Sequence, residues 1–184
     1  MTQRITQIDP AAATGKVKEI FDNTMAKIKM IPNVYRVFAN SPQVLEGYMA
    51  FNTAMAGVSL PAGLREQLAI AIAETNGCDY CLSAHTAIGK MVGVSADDLN
   101  AAQSGNASDA KTAAALQFAR KVSTERGHVS DEDLAAVKAA GYSDAEIVEM
   151  VALTSLNILT NYVNNVAGTE IDFTVTSFST KKAA

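Results

Sequence analysis

Beyond residue 94 the chain repeats one kind of punctuation, a serine followed by acidic residues at the head of an apolar-periodic run. Ser95-Ala96-Asp97-Asp98, Ser108-Asp109, Ser130-Asp131-Glu132-Asp133 and Ser143-Asp144-Ala145-Glu146 all fit it. Ser and Asp side chains satisfy the free N–H groups of a first helical turn, and acidic residues there face the positive end of the helix dipole. Ser143 with Glu146 three residues on is a capping box. The spacing is uneven, so each signal opens a helix without making a solenoid repeat. The pattern predicts helices near 95–103, 108–126, 130–140 and 143–167.

The first half is punctuated differently. Its four prolines, Pro10, Pro32, Pro42 and Pro61, fall at breaks or first-turn positions. A helix is expected over about 12–29, with Val17, Ile20, Phe21, Met25 and Ile28 on one face. Ile31-Pro32-Asn33 breaks it, and a short helix follows through Val34–Phe38. Ser41-Pro42, cap and first helical residue, open a helix to about Gly57. Leu60-Pro61 introduces another over about 62–75, whose centre, Leu68 to Ala73, is apolar around its circumference and so buried on most sides. Asn76-Gly77 ends it, and a helix over about 78–92 stops at Gly93. No run alternates as a strand would. The fold class is all-α, a single domain over 1–184 with an N-terminal helical arm at about 1–40. The polar, β-branched tail from Thr169 reads as an extended arm.

Hydrophobic residues make up 48% and charged residues 18% of the chain, enough for a core and unlike a disordered sequence. Net charge is −4, and no basic stripe exists to neutralise phosphates, so nucleic-acid binding is not expected. The longest apolar run is far shorter than the roughly 20 residues that span a bilayer, and the first residues lack a signal-peptide core. These readings lead to a cytoplasmic protein without membrane partners. A reducing compartment argues against a static structural disulfide.

Both cysteines and one of the two histidines lie together in Cys78-Asp79-Tyr80-Cys81-Leu82-Ser83-Ala84-His85. Steps of three and four residues put Cys78, Cys81 and His85 on one helical stripe. The break at Gly77 places both cysteines in the first turn, where unpaired N–H groups favour an anion. His85 stands one turn beyond Cys81 as a base or cationic partner, and Cys78 is placed to trap an oxidised Cys81 as a disulfide. A thiol of ordinary pKa, about 8.5, is only about 3% thiolate at pH 7; at pKa about 6 it is roughly 90% thiolate, and the thiolate is the nucleophile. Peroxide converts a thiolate to sulfenic acid, which a neighbouring thiol turns into a disulfide.

His85 needs a third group to orient it, and the preceding helix offers Glu66 and Glu74. In an antiparallel hairpin about Gly77, Glu66 lies roughly 16 Å back from the turn and His85 roughly 12 Å forward. Glu66 is the better partner on these levels, while Glu74 lies closer to the cysteines and stays open.

Glu66, Cys78, Tyr80, Cys81 and His85, at the spacing E-x11-C-x-Y-C-x3-H, resemble the AhpD-like alkylhydroperoxidases of the carboxymuconolactone decarboxylase family. The resemblance covers about 31–93. A second stretch, from Asn157-Ile158-Leu159-Thr160-Asn161 to Asp172-Phe173, is similar to the C-terminal helix of peroxidase-related members. It implies an all-α fold with the CxxC at a helix N-terminus, assembled as a homo-oligomer, trimer or hexamer. The implied activity is reduction of hydroperoxides with electrons from a dithiol reductant, a lipoyl- or thioredoxin-type protein, with no cofactor. Cys81 is then the peroxidatic cysteine passing through sulfenic acid, Cys78 the proton donor and resolving partner, and Glu66 with His85 a proton relay. Tyr80, a further candidate, stands where the best-characterised alkylhydroperoxidases carry a histidine. Helix-dipole reasoning alone points to Cys78 as nucleophile; His85, one turn from Cys81 and two from Cys78, favours Cys81.

Other readings compete. Members with lactone decarboxylase activity generally lack the cysteine pair, which argues against that chemistry here. A non-enzymatic redox or zinc-binding helical oligomer is a further reading, and a zinc site in it would need His128, in Gly127-His128-Val129, as a fourth ligand beside Cys78, Cys81 and His85. Otherwise His128 is an exposed loop residue. Asn157, Asn161 and Asn164 form a polar stripe on an apolar helix; buried amides need partners, so the stripe faces another subunit or the site region unless it is simply exposed.

Overall fold

A computed structural model describes residues 2–178. Among these the chain is helical, with no strand, and runs α1 (Gly15–Ile28), α2 (Asn33–Phe38), α3 (Pro42–Ala56), α4 (Ala62–Asn76), α5 (Asp79–Met91), α6 (Ala96–Gln103), α7 (Ala110–Thr124), α8 (Asp131–Ala139) and α9 (Asp144–Ala167). The all-α class follows directly from the caps. Ser95, Ser130 and Ser143 accept the N–H three residues on, and Ser130 with Asp133 forms a second capping box beside Ser143 with Glu146. Two caps differ from expectation. Asp109, not Ser108, caps α7, its carboxylate accepting the Thr112 N–H, while the Ser108 N–H donates to Asp98 in the first turn of α6. Ser41 occupies the cap position of α3 without a side-chain bond.

α4 is the axis of the bundle. Leu68, Ile70, Ala71, Ile72 and Ala73 are wholly buried, because α5, α6, α7 and α9 all pack against this helix. Its alternation of Ala with Leu and Ile lets those neighbours approach on every side. Gly77 then takes the left-handed conformation, φ 63° and ψ 45°, and its N–H closes α4 on the carbonyls of Ala73 and Glu74. The reversal returns the chain as α5, antiparallel to α4 and in contact along its length. Gly89 keeps the α5–α6 approach close: a Cβ there would meet Leu99 Cδ2 at 2.5 Å.

The N-terminal stretch is drawn into the bundle. Residues 2–9 are not helical; the Arg4 and Ile5 N–H groups donate to the Ala167 carbonyl and that of Ile8 to Arg36. α1 buries Val17, Ile20 and Phe21, packing on α3, while α2 bridges α3 and α9. No helix among the described residues is long and apolar enough to cross a membrane.

The N-terminal strap and the end of α9 meet at Gly168, which is left-handed at φ 60° and abuts the Thr2 carbonyl oxygen. Gly168→Ala therefore adds a steric collision to the left-handed penalty, and should lower stability by about 2 kcal/mol or more. Gly15→Ala, at φ 55° with nothing within 4 Å of its Cβ position, should show only the backbone part, about 1 kcal/mol. Urea unfolding of the two variants checks the difference.

Candidate active site

The hairpin turn delivers the reactive groups. Cys78 is the N-cap of α5, not a residue of its first turn, and Cys81 is the third helical residue. The cap position lets Cys78 Sγ accept the Cys81 N–H at 3.2 Å, using one of the orphan donors of the helix end. The two cysteines are joined as a disulfide, with Cα atoms 5.3 Å apart. Both are buried, Cys78 at 0% and Cys81 at 2% exposure.

His85 follows one turn along α5. Its Nδ1 lies 2.7 Å from Glu66 Oε2 on α4, so the hairpin register brings together the pair expected from the helix rise. Both side chains are partly exposed, His85 at 25% and Glu66 at 18%, enough to exchange protons with a bound molecule. Glu74 is buried farther toward the turn, on the same helix. Glu66, Cys81 and His85 open on one cavity of about 210 Å³, whose walls come from α2, α3, α4, α5, α9 and the tail. Tyr35, Tyr48, Met55, Ile88, Leu153 and Phe173 make much of that wall.

Tyr80 also lines the cavity, with its phenol turned away from solvent. The Val34 N–H donates to its hydroxyl oxygen at 3.3 Å, and the Phe173 ring packs edge-on against it. Burial, reinforced by the Asp172 carboxylate, pushes its ionisation far above the ordinary tyrosine range. Tyr80 is thus a neutral wall and hydrogen-bonding group at neutral pH, not a base.

The tail contributes more than its sequence suggested. Residues 169–178 are irregular and lie across the end of α5. Asp172 accepts from the Asn33 N–H at 2.8 Å, and the Thr176 N–H donates to Ser83 at 3.0 Å. Phe173 reaches the cavity from this segment; residues 179–184 lie outside the described part. Nothing in the tail's β-branched composition signalled a cover for the site, since an extended segment reads alike whether docked or free.

The asparagine stripe of α9 faces inward. Asn157 lines the cavity, Asn161 accepts from Asn76 at 2.9 Å, and Asn164 Nδ2 donates to Cys81 Sγ at 3.3 Å. His128 is exposed in the α7–α8 loop, and no group of three or more His, Cys, Asp or Glu among the described residues is arranged to hold a metal ion.

A bundle whose central hairpin carries a C-x-x-C pair at a helix N-terminus, with a Glu–His pair one turn on, has the arrangement expected of an AhpD-like helical fold. Residues 42–125, from the start of α3 to just past α7, match the model of the carboxymuconolactone decarboxylase family. No curated protein matches the sequence. Among solved structures, an uncharacterized peroxidase-related protein from Ralstonia eutropha JMP134, described as an alkylhydroperoxidase AhpD core, is similar with a TM-score of 0.84. It shares 24% identity over 92% of each chain. A second uncharacterized peroxidase-related protein, from Silicibacter sp. TM1040, gives 0.81 at 20% identity over 92% of each chain. The debrominase Bmp8, a cysteine-to-alanine variant in complex with 2,3,4-tribromopyrrole, gives 0.80 at 20% identity, covering 94% of this chain and 93% of its own. At these identities the likeness concerns the fold.

Proposed function

We propose that this protein is a thiol-dependent peroxidase that reduces hydroperoxides through a Cys78–Cys81 disulfide cycle. The observation that carries this reading is the shared cavity: Cys81 at a helix N-terminus, its partner cysteine within bonding distance, and a Glu66–His85 pair opening on the same space. In the reduced protein the Cys81 thiolate attacks the distal oxygen of ROOH. A sulfur–oxygen bond forms, the oxygen–oxygen bond breaks, and the alkoxide leaves as ROH with a proton supplied through His85 and Glu66. Glu66 holds Nδ1, so Nε2 is the nitrogen left to pass that proton. Cys78 then gives up its proton and attacks the sulfenic sulfur; the disulfide closes and water leaves. An external dithiol, of the lipoyl or thioredoxin type, reopens it. No haem, flavin or metal enters the cycle.

The aromatic and aliphatic part of the wall suits an organic hydroperoxide better than hydrogen peroxide, because it rewards a hydrocarbon substituent that hydrogen peroxide lacks. The cycle needs a reducing compartment, so the cytoplasm is its proposed setting. A homo-oligomer, trimer or hexamer, is the assembly proposed with it, and the exposed Val148, Val151, Leu159, Tyr162 and Val166 of α9 form an apolar face such an assembly would cover. In the test, reduced protein receives one equivalent of cumene hydroperoxide and then dihydrolipoamide. Stoichiometric peroxide loss, closure of the disulfide and its reopening by the dithiol are expected. Consumption no faster than by free cysteine contradicts the reading.

The same aromatic wall favours one second reading, thiol-driven reductive dehalogenation of an aromatic ring, as the debrominase's name suggests for that protein. There the dithiol would supply two electrons, carbon–bromine becoming carbon–hydrogen with release of bromide and a proton. Bromide release from 2,3,4-tribromopyrrole, exceeding hydroperoxide turnover, would favour it. Decarboxylation, the chemistry in the family's name, gives the cysteine pair no role; carbon dioxide release from a muconolactone would reinstate it.

A further inference from the structure

The residues of the motif all lie on α4, on α5 or at the N-cap of α5, inside the stretch that matches the family model. The Cys81 sulfur has another polar neighbour outside it. Asn164, on the last turns of α9, is 3% exposed, and its Nδ2 stands 3.3 Å from Cys81 Sγ. The amide must present nitrogen and not oxygen to this atom, because a thiolate only accepts hydrogen bonds. The Asn164 Oδ1 is buried, has no partner, and belongs to a side chain that lines the cavity. A buried asparagine with one polar atom on a sulfur and the other unused is costly as pure structure. Its neighbour Asn161 also leaves one polar atom, Nδ2, unpartnered, but its Oδ1 accepts from Asn76 and its side chain neither lines the cavity nor reaches the sulfur. Contact with sulfur and cavity together is what sets Asn164 apart.

We propose that Asn164 is a further catalytic residue, whose amide N–H holds the Cys81 sulfur as an anion and whose carbonyl accepts the O–H of the incoming hydroperoxide. The amide then bridges nucleophile and substrate, with the distal oxygen next to the sulfur that attacks it. The inference rests on the thiol-peroxidase reading for its second half only; the first concerns the thiol itself. The titratable groups on the same cavity are Arg65 and Glu66 from α4, Tyr80 and His85 from α5, Tyr35 from α2 and Tyr48 from α3. α9 adds no charge there, so its influence on the sulfur is a hydrogen bond and not a field.

The test follows alkylation of Cys81 by iodoacetamide against pH, in reduced protein carrying Cys78→Ser so that one site thiol reports. Asn164→Leu, similar in volume, should move the Cys81 midpoint up by about one pH unit, the size expected for one hydrogen bond to a charged group, and slow alkylation at pH 7 about tenfold. Asn164→Asp, isosteric but anionic, should move it further in the same direction. Asn161→Leu should leave the midpoint where it is. Folding of each variant is checked by circular dichroism; should the leucine variant fail to fold, the aspartate variant decides. Midpoints unchanged in folded Asn164 variants overturn the assignment. A shifted midpoint in a protein whose wild type ignores hydroperoxides retains Asn164 as the thiolate's donor and removes the peroxidase reading instead.

Discussion

Cys81→Ser should abolish hydroperoxide reduction, lowering turnover at least about 10³-fold, while the fold survives. A serine hydroxyl is a far weaker nucleophile than a thiolate, and loss of a covalent nucleophile removes the whole pathway, not a fraction of it. The substitution is nearly isosteric and leaves the Asn164 N–H an oxygen to meet in place of sulfur. The lost disulfide closes a loop of only a few residues, so its removal alters the unfolded chain little. Cys78→Ser should behave differently: one fast turnover of peroxide, then a stalled sulfenic acid on Cys81. Steady-state hydroperoxide consumption and single-turnover mixing separate the two variants. Loss of the first turnover in Cys78→Ser, with Cys81→Ser retaining it, would reverse the roles of the cysteines.

Glu66→Gln should lower turnover about 10²-fold with little change in stability. Glutamine keeps the side chain's length and can still bond His85, but it removes the carboxylate that fixes the imidazole and shares its proton. The pair is partly exposed, so no large folding penalty is expected from the change. The decisive comparison is a double-mutant cycle. If Glu66 acts through His85, then Glu66→Gln in a His85→Ala background should cost less than about twofold, because residues of one relay are not additive. Additive losses would mean that Glu66 touches substrate or sulfur by a separate route.

Much of this site was legible in the sequence because it is local. Cys78, Cys81 and His85 are tied by helical periodicity, and the helix rise favoured Glu66 over Glu74 as the partner of His85 while leaving Glu74 open, since Gly77 fixes where the hairpin turns. The caps of α6, α8 and α9 were readable for the same reason. Contacts across the chain were harder. The α9 asparagines showed themselves as a stripe, yet only the packing of α9 on α4 and α5 aims Asn164 at Cys81 and Asn161 at Asn76. Phe173 and Asp172 were visible as part of a tail, but no sequence pattern marks what ties that tail down: the Asn33 N–H on Asp172, the Asn33 side-chain amide on the Glu170 carbonyl and the Thr176 N–H on Ser83. The cap of α7 falls on Asp109 and not on Ser108, whose N–H is held by Asp98 across the α6–α7 loop, a contact that no local pattern marks.

The most direct measurement is the mass of reduced protein exposed to one equivalent of cumene hydroperoxide with dimedone present, in wild type and in Cys78→Ser. Wild type should lose two hydrogens and take up no dimedone, because Cys78 closes the disulfide first. The Cys78→Ser protein should carry one dimedone adduct, located on Cys81. Two free thiols surviving in wild type, or an adduct on any other residue, would contradict a cycle that begins at the Cys81 sulfur.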